Sequence, residues 1–228
     1  MSDRQQDVTR EPIAIVGIGC HFPGGAVTPD AYWDMLCGGV DATCEIPPDR
    51  WEVRKFYDPD PAKLGKMSTF RGGFLDRVDQ FDAHFFGISP REAIWLDPQQ
   101  RLLLRTVWEA FEDAGLDADR LAGSDTGVFI GGFTLDYQLL QNYGIHSRYE
   151  LQAHSATGMM MTMLANRLSH AFDLRGPSLT VDTACSASLV AWGSCLPSSS
   201  GRPAPTSPCC RCASFATRRS RPRTSSRC

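Results

Sequence analysis

Small residues crowd around one thiol in this sequence, in the run Asp182-Thr183-Ala184-Cys185-Ser186-Ala187-Ser188. Upstream, Ser178 to Val181 follows the turn Arg175-Gly176-Pro177 and reads as a strand; downstream, Leu189 and Val190 resume an apolar pattern. The order is strand, tight turn, helix. A cysteine at the first turn of a helix faces unpaired backbone N–H groups and the positive end of the helix dipole, and both favour thiolate over thiol. Cys185 is therefore placed to act as a nucleophile towards an acyl group. Its small neighbours leave room for a sharp turn and for the close approach of that group. Spacing alone leaves a second reading open, a buried and inert cysteine, because cysteine is among the most buried residue types.

Other constellations are weaker. Gly17-Ile18-Gly19-Cys20-His21-Phe22 follows a strand as a dinucleotide fingerprint would, but the third glycine is missing. The histidines at 21, 84, 146, 154 and 170 lack metal-ligand spacing. Cys209, Cys210 and Cys212 invite zinc, yet no histidine follows His170 and no second ligand pair accompanies them, so no metal is expected. Met159, Met160, Met161 and Met163 could line an adaptable acyl pocket or simply fill a core.

Several elements must hold these residues in place. Ile13 to Val16, within Glu11–Gly19, reads as a buried first core strand closed by glycines. Thr28-Pro29-Asp30 opens a short helix that Gly38 and Gly39 stop. From Cys44 to Gly73 the chain is rich in Pro, Asp and Gly and reads as a long irregular surface stretch. The three phenylalanines between Asp79 and Pro90 suit a core anchor. Asp97 caps and Pro98 starts the clearest helix, with Leu103, Val107, Ala110 and Ala114 on one face and Gly115 as its stop. Thr126 to Phe133 reads as a second buried strand whose glycines permit close backbone approach, and Ala156 to Phe172 as one further helix.

Of the 228 residues 42% are apolar and 21% charged, a globular balance. No run approaches the roughly 18 apolar residues a membrane span needs, and Met1 to Pro12 is too polar for a signal peptide, which points to the cytoplasm and to reduced thiols. Charge divides the chain. All 26 acidic residues precede Trp192, whereas seven arginines, five of the nine cysteines and no acid follow it. Residues 1–10 are expected to be a disordered leader, 11–191 the folded part, and 192–228 a disordered Arg/Ser/Pro/Cys-rich tail that cannot build a core. The tail's charge would attract phosphates, but it has no interleaved aromatics and no adjoining basic fold, so neither nucleic acid nor membrane is expected as a partner. Such an abrupt change of composition is also what a shifted reading frame produces.

The blocks EPIAIVGIGCHFPGG, FRGGFLDRVDQFDAHFFGISPREA, LDPQQRLLLRTVWEAFEDAG, TGVFIGG and GPSLTVDTACSASLVA, in this order, resemble the β-ketoacyl synthase domain of modular type I polyketide synthases from Glu11 to about Ala191. The resemblance implies an α/β, thiolase-like fold, of which this is the N-terminal half: a βαβαβαββ-type mixed sheet flanked by helices, incomplete on its own. It makes Cys185 the acyl-accepting nucleophile. It implies a decarboxylative Claisen condensation of an acyl-Cys thioester with a malonyl-type extender, as in polyketide and fatty-acid synthesis. No cofactor is bound directly; the substrates arrive as thioesters on the phosphopantetheine arm of an acyl carrier protein, and the family is normally homodimeric. The two histidines that serve decarboxylation there, one in an HGTGT-like block, have no counterpart in this sequence, so the chain alone is expected to be inactive. Two other readings remain: a non-catalytic half-domain that pairs with an intact synthase, and a pseudogene product. Apolar faces left uncovered should make the isolated chain poorly soluble.

Overall fold

The computed structural model describes residues 13–142, 152–195 and 215–217. Strand β1 (Ala14–Gly17) leads through a 3-10 turn at Pro23–Gly25 into α1 (Pro29–Cys37). Thr28 Oγ1 accepts the Ala31 N–H at 3.1 Å, Pro29 occupies the first turn, and Gly38 caps the end, as the sequence predicts. The stretch expected to be irregular has a closed base, because β2 (Cys44–Glu45) pairs antiparallel with β3 (Arg71–Gly72); α2 (Val53–Phe56) lies between them. Then follow α3 (Pro90–Ala93), α4 (Pro98–Asp113), α5 (Ala118–Leu121), β4 (Val128–Gly131), α6 (Asp136–Leu140), α7 (Ala153–Met159), α8 (Met163–Ala171), β5 (Ser178–Val181), α9 (Ala187–Cys195) and β6 (Phe215–Thr217).

Helix α4 forms the spine. Asp97 Oδ1 accepts the Gln99 N–H at 2.8 Å and fixes its start. Its buried face is Gln100, Leu104, Val107, Ala110 and Phe111, rotated slightly from the Leu103–Ala114 face that the spacing predicts; Leu103 sits at the border, half-buried against the core. Leu104, Val107 and Phe111 pack with Leu164 and Leu168 of α8, Val128 and Ile130 of β4, and Ile88. Each such side chain contributes about 2 kcal/mol by leaving water. The phenylalanine-rich turn does anchor this core: Phe81 stacks on Phe86, which meets Phe172 edge-on, and Phe172 meets Phe111.

Strands β4 and β5 run parallel, from Val128 opposite Ser178 to Gly131 opposite Val181. Alternation along β4 sends Val128 and Ile130 towards α4 and α8, and Phe129 towards Ala191 and Cys195 of α9. The sheet thus lies between helices, with α8 on one face and α9 on the other.

Three expectations need correction. The helix predicted over 156–172 is two helices, broken at Met160, whose backbone is extended at φ −74° and ψ 135°. At the end of α7, Gly158 is pressed so closely on Trp95 that a Cβ would sit 2.2 Å from the Trp95 carbonyl oxygen, and the Asp97 N–H takes the Gly158 carbonyl at 2.9 Å. Strand β1 is not a buried core strand. Val16 packs on the core, but Ile13 and Ile15 are exposed, and β1 pairs antiparallel with β6 rather than joining β4 and β5. Trp192 and Cys195 pack on Phe129 and carry α9 through its last turn, and Phe215–Thr217 forms β6. Finally, Cys20, Cys37, Cys44 and Cys185 are free thiols as expected, whereas Cys195 is disulfide-bonded. Among the described residues no helix is long and apolar enough to cross a membrane.

Candidate active site

The turn after β5 is built by its own side chains. Asp182 Oδ1 accepts the Ala184 N–H at 3.0 Å, and Ser186 Oγ donates to the Thr183 carbonyl at 2.9 Å. Between these two clasps Ala184 adopts φ 53°, a left-handed conformation that costs a non-glycine residue of order 1 kcal/mol or more. Ala187 N–H then bonds the Ala184 carbonyl at 3.0 Å, and Val190 N–H bonds that of Ser186, which starts α9. Cys185 lies two residues before the first helical residue, just outside the first turn where the spacing predicts it, and its side chain is exposed. The alternative of a buried, inert cysteine does not hold for it. Cys20 fits that description instead: it is buried, and burial, followed by the charge of Glu109, pushes its thiol above the usual cysteine range.

Gly131 sets how near the helix start can come. A Cβ there would lie 2.5 Å from the Ser188 backbone nitrogen, so the last residue of β4 abuts the first turn of α9 only because it has no side chain. On the opposite side of the strand, Gly132 is covered by Met161 and Leu164, and its N–H donates to the Val181 carbonyl at 3.0 Å. The Cys185 turn therefore stands outside the carboxyl ends of two parallel strands, the edge of an α/β sheet where ligands bind. The segment after β4 adds exposed Phe133, Leu135, Leu139 and Leu140, and Met160 from the helix break is exposed too. Of the methionine run, Met159 is buried and Met161 packs on the core, so filler and exposed roles are divided among them.

The other candidates fall elsewhere. Gly19 follows β1, where a Cβ would lie 2.2 Å from the Thr106 carbonyl, so it serves the packing of this loop on α4. No helix begins directly after it to receive a phosphate. His21 Nε2 lies 2.6 Å from Glu109 Oε2, whose other oxygen accepts from Arg105 Nε at 2.9 Å, an arrangement that ties this loop to α4. His84, His154 and His170 are exposed or at the surface, on separate elements. Among the described residues no group of three His, Cys, Asp or Glu is placed to hold a metal; His146 and the cysteines at 209, 210 and 212 lie outside them.

Sequence reasoning passed over one buried polar cluster. Arg167 on α8 donates from Nη1 to Glu92 Oε1 at 2.7 Å and from Nε to Gln100 Oε1 at 2.5 Å, and the Gln100 amide in turn donates to the carbonyls of Thr157 and Gly158 at 3.1 and 3.0 Å. Its signal was an arginine and a glutamine on the apolar faces of two helices.

The family model for the N-terminal domain of β-ketoacyl synthases matches residues 10–196. One component of the phenolphthiocerol/phthiocerol polyketide synthase of Mycobacterium tuberculosis is 49% identical over 181 residues, 79% of this chain and 10% of that protein. The pikromycin polyketide synthase component PikAIII of Streptomyces venezuelae is 49% identical over 184 residues, 80% of this chain and 12% of its own length. Among solved structures, the oxazolomycin ketosynthase domain of Streptomyces albus superposes with a TM-score of 0.71 at 42% identity, covering 80% of this chain and 31% of that one. The module 6 ketosynthase of the Bacillus subtilis bacillaene synthase gives 0.65 at 36% identity. The chain thus spans about a tenth of those synthases and under a third of a solved ketosynthase chain. With its α/β, thiolase-like architecture and the thiol-bearing turn at the sheet edge, the chain belongs to the β-ketoacyl synthase family and corresponds to part of the ketosynthase domain of a modular polyketide synthase.

Proposed function

We propose that Cys185 accepts an acyl group from the phosphopantetheine arm of an acyl carrier protein, the first half of a decarboxylative Claisen condensation. Its Sγ attacks the thioester carbonyl, a new S–C bond forms as the bond to the arm breaks, and the arm leaves as a thiol with the proton that left Cys185. The backbone N–H of Cys185 is one donor for the oxyanion that forms on the way, worth roughly 3 kcal/mol in an acyl-transfer site. One observation carries this reading: a free, exposed thiol held on a left-handed turn at the carboxyl ends of two parallel strands, directly before a helix.

In the second half a malonyl-type extender on a carrier arm loses CO2, and its carbanion attacks the Cys185 thioester. The working form in the cytoplasm is a homodimeric synthase. Intact-mass measurement after incubation with an acyl thioester tests the proposal: one acyl adduct that Cys185→Ala abolishes is expected, and an unmodified wild-type chain would contradict it.

A second reading, a half-domain that docks on an intact synthase without chemistry, is favoured by the outward apolar surface of α9 and β5, where Leu189 is 76% and Leu179 49% exposed. Co-purification with a full-length synthase and no adduct on Cys185 would support it.

A further inference from the structure

The geometry points to Asp182 as a positioning residue for acyl transfer to Cys185: its carboxylate holds the turn in a shape that leaves the Cys185 N–H open. This deepens the reading of Cys185 as acyl acceptor and rests on it. Three of the four N–H groups from Ala184 to Ala187 are committed. That of Ala184 goes to Asp182 Oδ1 at 3.0 Å, that of Ser186 to the Thr183 carbonyl at 3.4 Å, and that of Ala187 to the Ala184 carbonyl at 3.0 Å. Among the described residues no acceptor takes the N–H of Cys185. In a right-handed turn it would bond back to the carbonyl of Asp182 or Val181, three or four residues earlier. The Val181 carbonyl instead takes the Gly132 N–H at 3.0 Å, and Ala184, at φ 53°, rotates the peptide unit that carries the Cys185 N–H out of that path. Alanine carries a β-carbon and disfavours this conformation, so the surrounding bonds must hold it there. The clasp from Asp182 Oδ1 to the Ala184 N–H does so on the strand side. Ser186 Oγ, 2.9 Å from the Thr183 carbonyl and 3.0 Å from its hydroxyl, closes the helix side. An oxyanion formed on an acyl group at Cys185 Sγ needs a donor that is already free and fixed, because freeing one during the reaction would cost what the new bond returns.

The test uses the 228-residue chain and follows Cys185 by peptide mapping with two reagents, an octanoyl thioester of a small thiol and iodoacetamide. Both consume the thiolate and only the first forms an oxyanion, so their rate ratio at one pH isolates the donor. Asp182→Ala should lower the acylation-to-alkylation ratio roughly tenfold. Asp182→Asn, which keeps the Oδ1 acceptor, should stay within about twofold of the wild type. Ala184→Val keeps the carboxylate but resists the left-handed backbone, and should lower the ratio as Asp182→Ala does. In an Ala184→Gly background, where φ 53° carries no β-carbon penalty, Asp182→Ala should lose most of its effect. Cys20, buried in the folded chain, reports folding in each variant; should Asp182→Ala open it to alkylation, Ala184→Val decides. A merely structural role would lower the melting temperature and leave the ratio alone. An unchanged ratio in Asp182→Ala or Ala184→Val, or an equal fall in Asp182→Asn, would overturn the assignment. A wild-type chain that is alkylated at Cys185 but never acylated contradicts the Cys185 reading itself and removes the assignment with it.

Discussion

Four free thiols among the described residues let their surroundings be compared directly. Cys20 is buried beside Glu109, and both effects hold its thiol protonated at neutral pH. Iodoacetamide should therefore alkylate Cys185, Cys37 and Cys44 well before Cys20, which should react only after denaturation or at raised pH; peptide mapping over time checks this order. Asp97 offers a second residue-level case. Burial pushes its carboxyl above the usual carboxylate range, although the Gln99 N–H groups pull the other way. The folded state thus holds that proton more tightly than the unfolded chain. Stability from this group is present below the usual Asp value of about 3.9 and is lost as pH rises through the raised one. Asp97→Asn keeps an oxygen for the cap and should flatten that part of the pH–stability curve, whereas Asp97→Ala should cost about 1 kcal/mol; thermal melts from acid to neutral pH read both.

Helix starts are where sequence and structure agree best, and the reason is local. The caps at Thr28 and Asp97 and the strand–turn–helix order around Cys185 depend on residues within a few positions of one another. What sequence reasoning could not reach depends on distant partners. The break at Met160 follows from Gly158 meeting Trp95 and from Gln100, held by Arg167; Trp95 and Gln100 lie far away along the chain. The exposure of β1 likewise follows from which strands pair with it, which alternation of side chains does not encode. At this scale the sharpest prediction concerns Gly131. A methyl group there must displace the Ser188 backbone, so Gly131→Ala should cost about 1–3 kcal/mol in a melt and shift the start of α9. Cys185 alkylation should change with it, while Gly25→Ala, where nothing lies within 4 Å, should leave alkylation as it is.

As a whole the molecule buries one core around α4 and leaves a second apolar surface open. Helix α9 buries Ala187, Ala191 and Cys195 on one side and exposes Leu189 and Val190 on the other, so it is apolar nearly all round, as a helix meant for cover on both sides is. A dye that fluoresces on apolar surface should bind the folded chain, and Leu189→Lys should reduce that signal and improve solubility with little change in the melt. The most direct test of the account is peptide-mapped acylation: the folded chain is incubated with an octanoyl thioester, and the adduct on each free cysteine is quantified over time. The account predicts an adduct that accumulates first and predominantly on Cys185 and disappears in Cys185→Ala; equal labelling of Cys37, Cys44 and Cys185, or no thioester at all, would contradict it.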